Sequence, residues 1–269
     1  MKNQIKTIIL LVILSAIFLG IGSIWGRTGL LIAFILALIM NISSYWFSDK
    51  LILKMYKAQP SKNKELNTLV KELAKKANLP EPAVYIIPTQ HMNAFATGRN
   101  KKHAAVACTQ GMLNQLNKNE LKGVLAHELS HIKNHDTLIQ VIVATIASAI
   151  MYIALIARWA AIFGDDDSSF IQLLVLGIIT PITASLIQLS ISRSREYLAD
   201  KNAASLLGDG KPLADALTKL KHNKPVKGNQ ATSSLFIVNP FTKKGLLNLL
   251  STHPDIDDRI KKLKAYPKH

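Results

Sequence analysis

Residues 28–48, TGLLIAFILALIMNISSYWFS, run for twenty-one positions without a charged side chain. At 1.5 Å per residue they make a helix of about 30 Å, the thickness of a bilayer's hydrocarbon core. Residues 7–25 (TIILLVILSAIFLGIGSIW) precede this run with only Gly26 and Arg27 between, which predicts a tight helical hairpin. A second pair follows, 137–157 (TLIQVIVATIASAIMYIALIA) and 168–192 (SSFIQLLVLGIITPITASLIQLSIS), joined by a linker holding Arg158, Trp159 and Gly164-Asp165-Asp166-Asp167. Four such stretches in 269 residues are too many for the core of one soluble domain and predict four spans. A cleaved signal fits the basic start at Lys2 and Lys6 but not the rest. The first run outlasts a signal's apolar region, and a second run follows where a polar mature domain should begin.

The composition agrees once it is divided along the chain. A net charge of +16 with a mean hydropathy of +0.19 combines a strongly basic part with an apolar part. The segments 26–27 and 158–169 carry two basic and three acidic residues, a charge of −1, and everything else carries +17. Lys2, Lys6, Lys50, Lys54, Arg193 and Arg195 lie just beyond span ends on the basic side. The positive-inside rule therefore predicts cytoplasmic termini and cytoplasmic polar segments. The layout is a membrane hairpin at 1–48, a cytoplasmic part at 49–136, a second membrane hairpin at 137–192 with an acidic external loop at 164–169, and a cytoplasmic part at 193–269.

Several function classes drop out. One cysteine, Cys108, excludes a disulfide framework and a cysteine-based zinc finger. No charged residue lies mid-span, which argues against an ion-coupled transporter. Ser185, Gln188 and Ser192 share a helical face beyond a kink at Pro181, and with Asn41 and Gln140 read as inter-helix hydrogen-bonding groups. Nucleic acid is a poor partner, because the basic residues are mostly lysine and Tyr85 and Phe95 are not interleaved with a basic stripe. No G-x-x-x-x-G-K-[ST] segment occurs, so no ATPase is encoded.

In the polar segments, 61–78 reads as an amphipathic helix with Leu66, Leu69, Val70, Leu73 and Ala77 on one face. Short β-like pieces at 83–89, 93–97 and 104–108, with a basic turn at 98–102, predict a small antiparallel sheet. A helix capped by Asn119 then runs towards the third span. The tail reads as helices at 193–207, 211–222 and 255–265, with a polar loop near 223–240.

The chemistry lies in His127-Glu128-Leu129-Ser130-His131. Histidines at i and i+4 project from one helical face and can hold one metal, while the adjacent Glu128 can reach a water beside it as general base. The pattern arises by chance roughly 0.005 times in a chain of this composition, counting the motif as defined for metalloproteases. A third ligand is needed. His135 lies two turns, about 11–12 Å, from His127 along a straight helix, too far for bonds of about 2 Å. Glu196 and Asp200, at i and i+4 on the helix leaving the fourth run, are better placed, because a hairpin of the third and fourth spans sets that helix beside His127 and His131. Glu196 would be the ligand, and Asp200 would fix a ligating histidine through its ring N–H.

His127-Glu128-Leu129-Ser130-His131, Ser194-Arg195-Glu196-Tyr197-Leu198-Ala199-Asp200 and Asn93-Ala94-Phe95-Ala96-Thr97-Gly98 resemble the three signatures of HtpX-type membrane zinc endopeptidases, and the four apolar runs match that family's layout. The resemblance implies a polytopic α-helical membrane protein with four transmembrane helices. Its cytoplasmic metalloprotease domain would be zincin-like and mainly α, with the small antiparallel sheet. It implies one Zn²⁺ per chain bound by His127, His131 and Glu196, with Glu128 as catalytic base and Asp200 behind the ligands. Asn93, Ala94, Phe95 and Ala96 would lie on an edge strand along which an extended substrate is laid. Ser251-Thr252-His253-Pro254 resembles an element near the active site, from which His253 or Arg259 would assist the oxyanion. The family has Gly where this chain has His135. The implied role is quality control in the plasma membrane of a bacterium, with misfolded or damaged membrane proteins as polypeptide substrates, the lipid bilayer as partner and no nucleic acid. Processing of prenylated proteins fits enzymes with more spans. An idle membrane scaffold has no need of Glu128.

Overall fold

The computed structural model describes residues 26–139, 193–222 and 254–267, with scattered positions between 9 and 23 and Ile237. The third and fourth apolar runs from 140 onward, the acidic loop 164–169, most of the polar loop 223–240 and His253 lie outside the described residues, as do Gln140, Pro181, Ser185, Gln188 and Ser192.

Helix α1 (Gly26–Met55) is thirty residues long and includes the second apolar run. Its window Gly26–Ser43 is long and apolar enough to cross a membrane. Leu31, Phe34 and Ile39 there are all more than half exposed. A continuous apolar surface of this kind needs a non-aqueous neighbour. Gly26 begins the helix at φ +67, the left-handed conformation that suits glycine in a tight connection. The described positions between 9 and 23 are helical, and Asn41 Nδ2 donates to Ser15 Oγ at 2.8 Å, so the first two runs meet. Ala33 and Ala37 are buried, small residues one turn apart that permit close approach.

Beyond α1 come β1 (Gln59–Pro60), α2 (Lys64–Lys76), β2 (Ala83–Ile87), β3 (Ala94–Asn100), β4 (His103–Thr109), α3 (Gln110–Gln115) and α4 (Lys118–Lys133). After the undescribed stretch come α5 (Arg193–Leu207), α6 (Lys211–Lys221) and α7 (Ile256–Lys264). The described residues are mainly helical with one small sheet.

That sheet corrects the antiparallel expectation. Its order is β1-β2-β4-β3, with β1–β2 and β3–β4 antiparallel but β2–β4 parallel, Ala83 opposite Ala105 and Ile87 opposite Thr109. The reason is tertiary packing. Both β3 and β4 are buried along most of their length, and the layers packed on the two faces of the sheet, not burial of β4 alone, settle the parallel pairing with β2. On one face Ala94, Ala96, Ala104, Val106 and Cys108 join the main core with α2, α4 and α6. On the other, Phe95, Ala105, Ala107 and Ile87 pack on Ile52 and Leu53 near the end of α1.

Helix α4 crosses the main core and is buried at nearly every position from Glu120 to Ile132. Its cap is Asn117, not Asn119. Asn117 Oδ1 accepts from the N–H groups of Asn119 and Glu120, while Glu120 Oε2 accepts from the Asn117 N–H, a reciprocal box that needs this three-residue spacing. Nor does α4 run unbroken towards the third apolar run. It ends at Lys133, and His135 turns the chain at φ +59 before helical backbone resumes at 136–139.

Candidate active site

The i, i+4 spacing on α4 sets the His127 and His131 rings edge to face, centroids 4.7 Å apart, with their Nε2 atoms 3.2 Å from each other. Helix α5 lies alongside and brings Glu196. Its Oε2 is 3.6 Å from His127 Nε2, and its Oε1 is 3.5 Å from His131 Nε2. All three side chains are buried, and their ligand atoms lie within 4.8 Å of one another. Two imidazoles and a carboxylate are a zinc donor set, and bonds of about 2.0 Å in a tetrahedron place neighbouring donors about 3.3 Å apart. The three separations bracket that value, so these residues fit the metal.

Behind His127, Asp200 Oδ1 is 3.0 Å from Nδ1, off the ideal hydrogen-bond direction. Asp200 is gripped by Arg259 of α7, whose Nε and Nη2 each donate to a carboxylate oxygen at 2.8 Å. Burial alone would raise the Asp200 carboxyl, but Arg259 and His127 hold it down at about 2. Burial would lower His127, yet Asp200 and Glu196 raise it to about 9. Arg259 also donates through Nη1 to the Ile237 carbonyl at 3.0 Å and passes 3.5 Å from Glu196 Oε2. Its guanidinium therefore faces carboxylates and a carbonyl of the protein. Tyr197 adds a second tie between α5 and α7, donating its hydroxyl to Asp258.

Glu128 points the other way, to the sheet. Its Oε2 accepts from the Ala96 N–H at 2.8 Å, on the side of β3 that faces away from β4. Burial, then the nearby Glu196, push its carboxyl above the usual range, while the two histidines and the Ala96 N–H pull back. Ala94, Phe95 and Ala96 lie on this edge strand, and Asn93 precedes it, its N–H donating to Thr109 Oγ1 at 2.9 Å. His135 is exposed and outside the cluster, its imidazole held below the usual range by partial burial and by Lys101. Two residues without an assigned sequence role join the site. Asp136 Oδ2 is 3.3 Å from His131 Nδ1, and Arg195 Nη1 is 3.5 Å from Asp136 Oδ1.

A profile of peptidase family M48 matches residues 60–266. The chain belongs to that family. It is similar to a protease HtpX homolog of Desulfatibacillum aliphaticivorans, 50% identical over 98% of this chain and 89% of that protein. A protease HtpX homolog of Pyrococcus furiosus is 48% identical over 97% of this chain and 94% of its own length. Among solved structures, the crystal structure of S. mikatae Ste24p aligns with a TM-score of 0.55 at 21% identity, covering 97% of this chain and 65% of that one, a likeness of fold. Membership of family M48, with near-full-length similarity to HtpX proteases, makes this chain a membrane-associated metalloendopeptidase. The metal such a peptidase needs has candidate ligands in His127, His131 and Glu196.

Proposed function

We propose that this protein is a four-span zinc endopeptidase that cuts misfolded or damaged membrane proteins at the cytoplasmic face of a bacterial plasma membrane, without ATP. The observation that carries the reading is the juxtaposition of the His127, His131 and Glu196 donors with a base, Glu128, whose carboxylate touches an edge strand. One Zn²⁺ would be held by those three donors. When bound, it supplies Lewis-acid polarisation of the scissile carbonyl and of a water. Glu128 takes the water proton and passes it to the leaving amine, a task suited to a carboxyl that burial raises above the usual carboxylate range. The β3 edge receives an extended polypeptide by strand addition, with Ala96 next to the base. Arg259 acts through Asp200, whose contact with Nδ1 turns the His127 Nε2 lone pair to the metal, rather than on the oxyanion. Four spans and cytoplasmic termini follow from the apolar runs and the +17 and −1 partition of charge.

Glu128→Gln should keep stoichiometric zinc and lose cleavage of a co-expressed membrane substrate by at least about 10²–10⁴-fold, the range for general acid–base catalysis. Full activity in that variant overturns the assignment. Glu196→Ala should lose zinc as well as activity, and stoichiometric tight zinc there rejects Glu196 as ligand. For the topology, a reporter active only in the cytosol should be silent when fused at position 166 and active after His269. The opposite pattern would reverse the orientation.

A further inference from the structure

His127 has a carboxylate behind it, and that carboxylate has an arginine. His131 has the same arrangement built from other parts of the chain. Asp136 Oδ2 lies 3.3 Å from His131 Nδ1, and its other oxygen lies 3.5 Å from Arg195 Nη1. Asp136 is 2% exposed and His131 4%. A carboxylate so buried persists only where charge and hydrogen bonds compensate its desolvation. The contacts come from two separate elements, α4 through His131 and α5 through Arg195. An acidic residue opening a helix often does no more than complement the helix dipole. Here Oδ2 is turned back onto a ring nitrogen of the preceding helix, which that role does not require.

The backbone is built for this return. On an unbroken helix Asp136, five residues after His131, would point well away from it. Instead α4 closes with the Asn134 N–H on the Ser130 carbonyl at 3.0 Å and the His135 N–H on the Ile132 carbonyl at 3.2 Å. The left-handed residue His135 then folds the next turn back over the end of the helix. The following residue is fixed too, since Thr137 Oγ1 donates to the Gly98 carbonyl on β3 at 3.1 Å. The turn at 134–137 thus touches a candidate ligand on one side and the edge strand on the other.

We infer that Asp136 is a positioning residue of the metal centre: it accepts the Nδ1 proton of His131, fixes the ring so that Nε2 faces the metal, and is itself steadied by Arg195. The inference rests on the metal-centre reading above. Partners of this kind behind a ligating histidine typically change metal affinity 10–100-fold when removed. Asp136 does so from the head of the third apolar run, so the ring it holds is tied to the segment that leads to the membrane.

The test uses the full-length protein in detergent, with Zn²⁺ affinity measured by chelator competition and the visible spectrum of the Co²⁺-loaded form as a report on ligand geometry. Asp136→Ala should weaken Zn²⁺ binding 10–100-fold and shift the cobalt bands. Asp136→Asn keeps an oxygen acceptor for the Nδ1 proton. It should retain the wild-type cobalt spectrum and lie between wild type and Asp136→Ala in affinity. The rescue separates ring positioning from a purely structural ion pair with Arg195, which the asparagine breaks as surely as the alanine does. Wild-type affinity and spectrum in Asp136→Ala overturn the assignment, as does an asparagine variant as impaired as the alanine. If the alanine variant does not fold, Asp136→Asn decides alone, and a cobalt spectrum shifted from wild type overturns it. Wild-type protein that binds no Zn²⁺ overturns the metal centre itself and this inference with it.

Discussion

At φ +59, His135 occupies a conformation that side chains other than glycine adopt at a cost of roughly 1–2 kcal/mol. This chain carries there an exposed imidazole outside the donor cluster. His135→Gly should therefore raise thermal stability by about 1 kcal/mol and leave zinc content unchanged. A melting curve and metal analysis of the purified variant check both, and loss of metal would make His135 a ligand. The same residue marks how far the site could be read in the sequence. His127, Glu128 and His131 were legible because helical spacing alone fixes their relative directions. Glu196 and Asp200 required one further step, that a hairpin brings two distant helices together. Asp136 was invisible, because its approach to His131 depends on a left-handed residue between them, and hydrophobic periodicity carries no record of such a turn.

The helices that frame the site pack more closely than their composition suggests. A Cβ on Gly123, one turn before His127, would lie 2.6 Å from the Leu213 backbone nitrogen of α6. Intrinsic propensity favours alanine over glycine in a helix by about 1 kcal/mol. Overpacking costs about 1–3 kcal/mol, and a backbone atom cannot swing aside as a side chain would. Gly123→Ala should thus destabilise the protein on balance, as thermal unfolding in detergent would show, and a gain in stability would mean that α6 is free to move. Most helices of the polar segments could be placed from their apolar faces, as with Leu66, Leu69, Val70 and Leu73 in α2. The sheet was harder. Ala-Ala-Val-Ala-Cys at 104–108 has the composition of a strand buried on both sides, yet nothing local states which neighbour it takes on each edge. Parallel pairing with β2 is settled by tertiary packing of the two faces on α4 and α1.

On the scale of the molecule, α1 joins the membrane to the catalytic machinery without a flexible link. The uncharged run ends at Ser48, and the same helix continues until Ile52 and Leu53 meet Phe95 of the edge strand. Trp46 lies at the end of that run, with the Arg99 guanidinium of the β3–β4 hairpin 4.6 Å from its ring, and the Tyr56 and Phe95 rings are 5.6 Å apart. The rod therefore works as a ruler. The four residues from Ser48 to Ile52 rise about 6 Å, and an extended chain covers about 3.3–3.6 Å per residue. With that run in the hydrocarbon, a polypeptide leaving the bilayer must pay out about two residues before it can lie along β3. In a series of anchored substrates with progressively shorter spacers, cleavage should fall away below about that length. If membrane proteins are the substrates, as proposed above, one whose tail is shorter than this stub would be spared until part of its anchor slips out of the lipid.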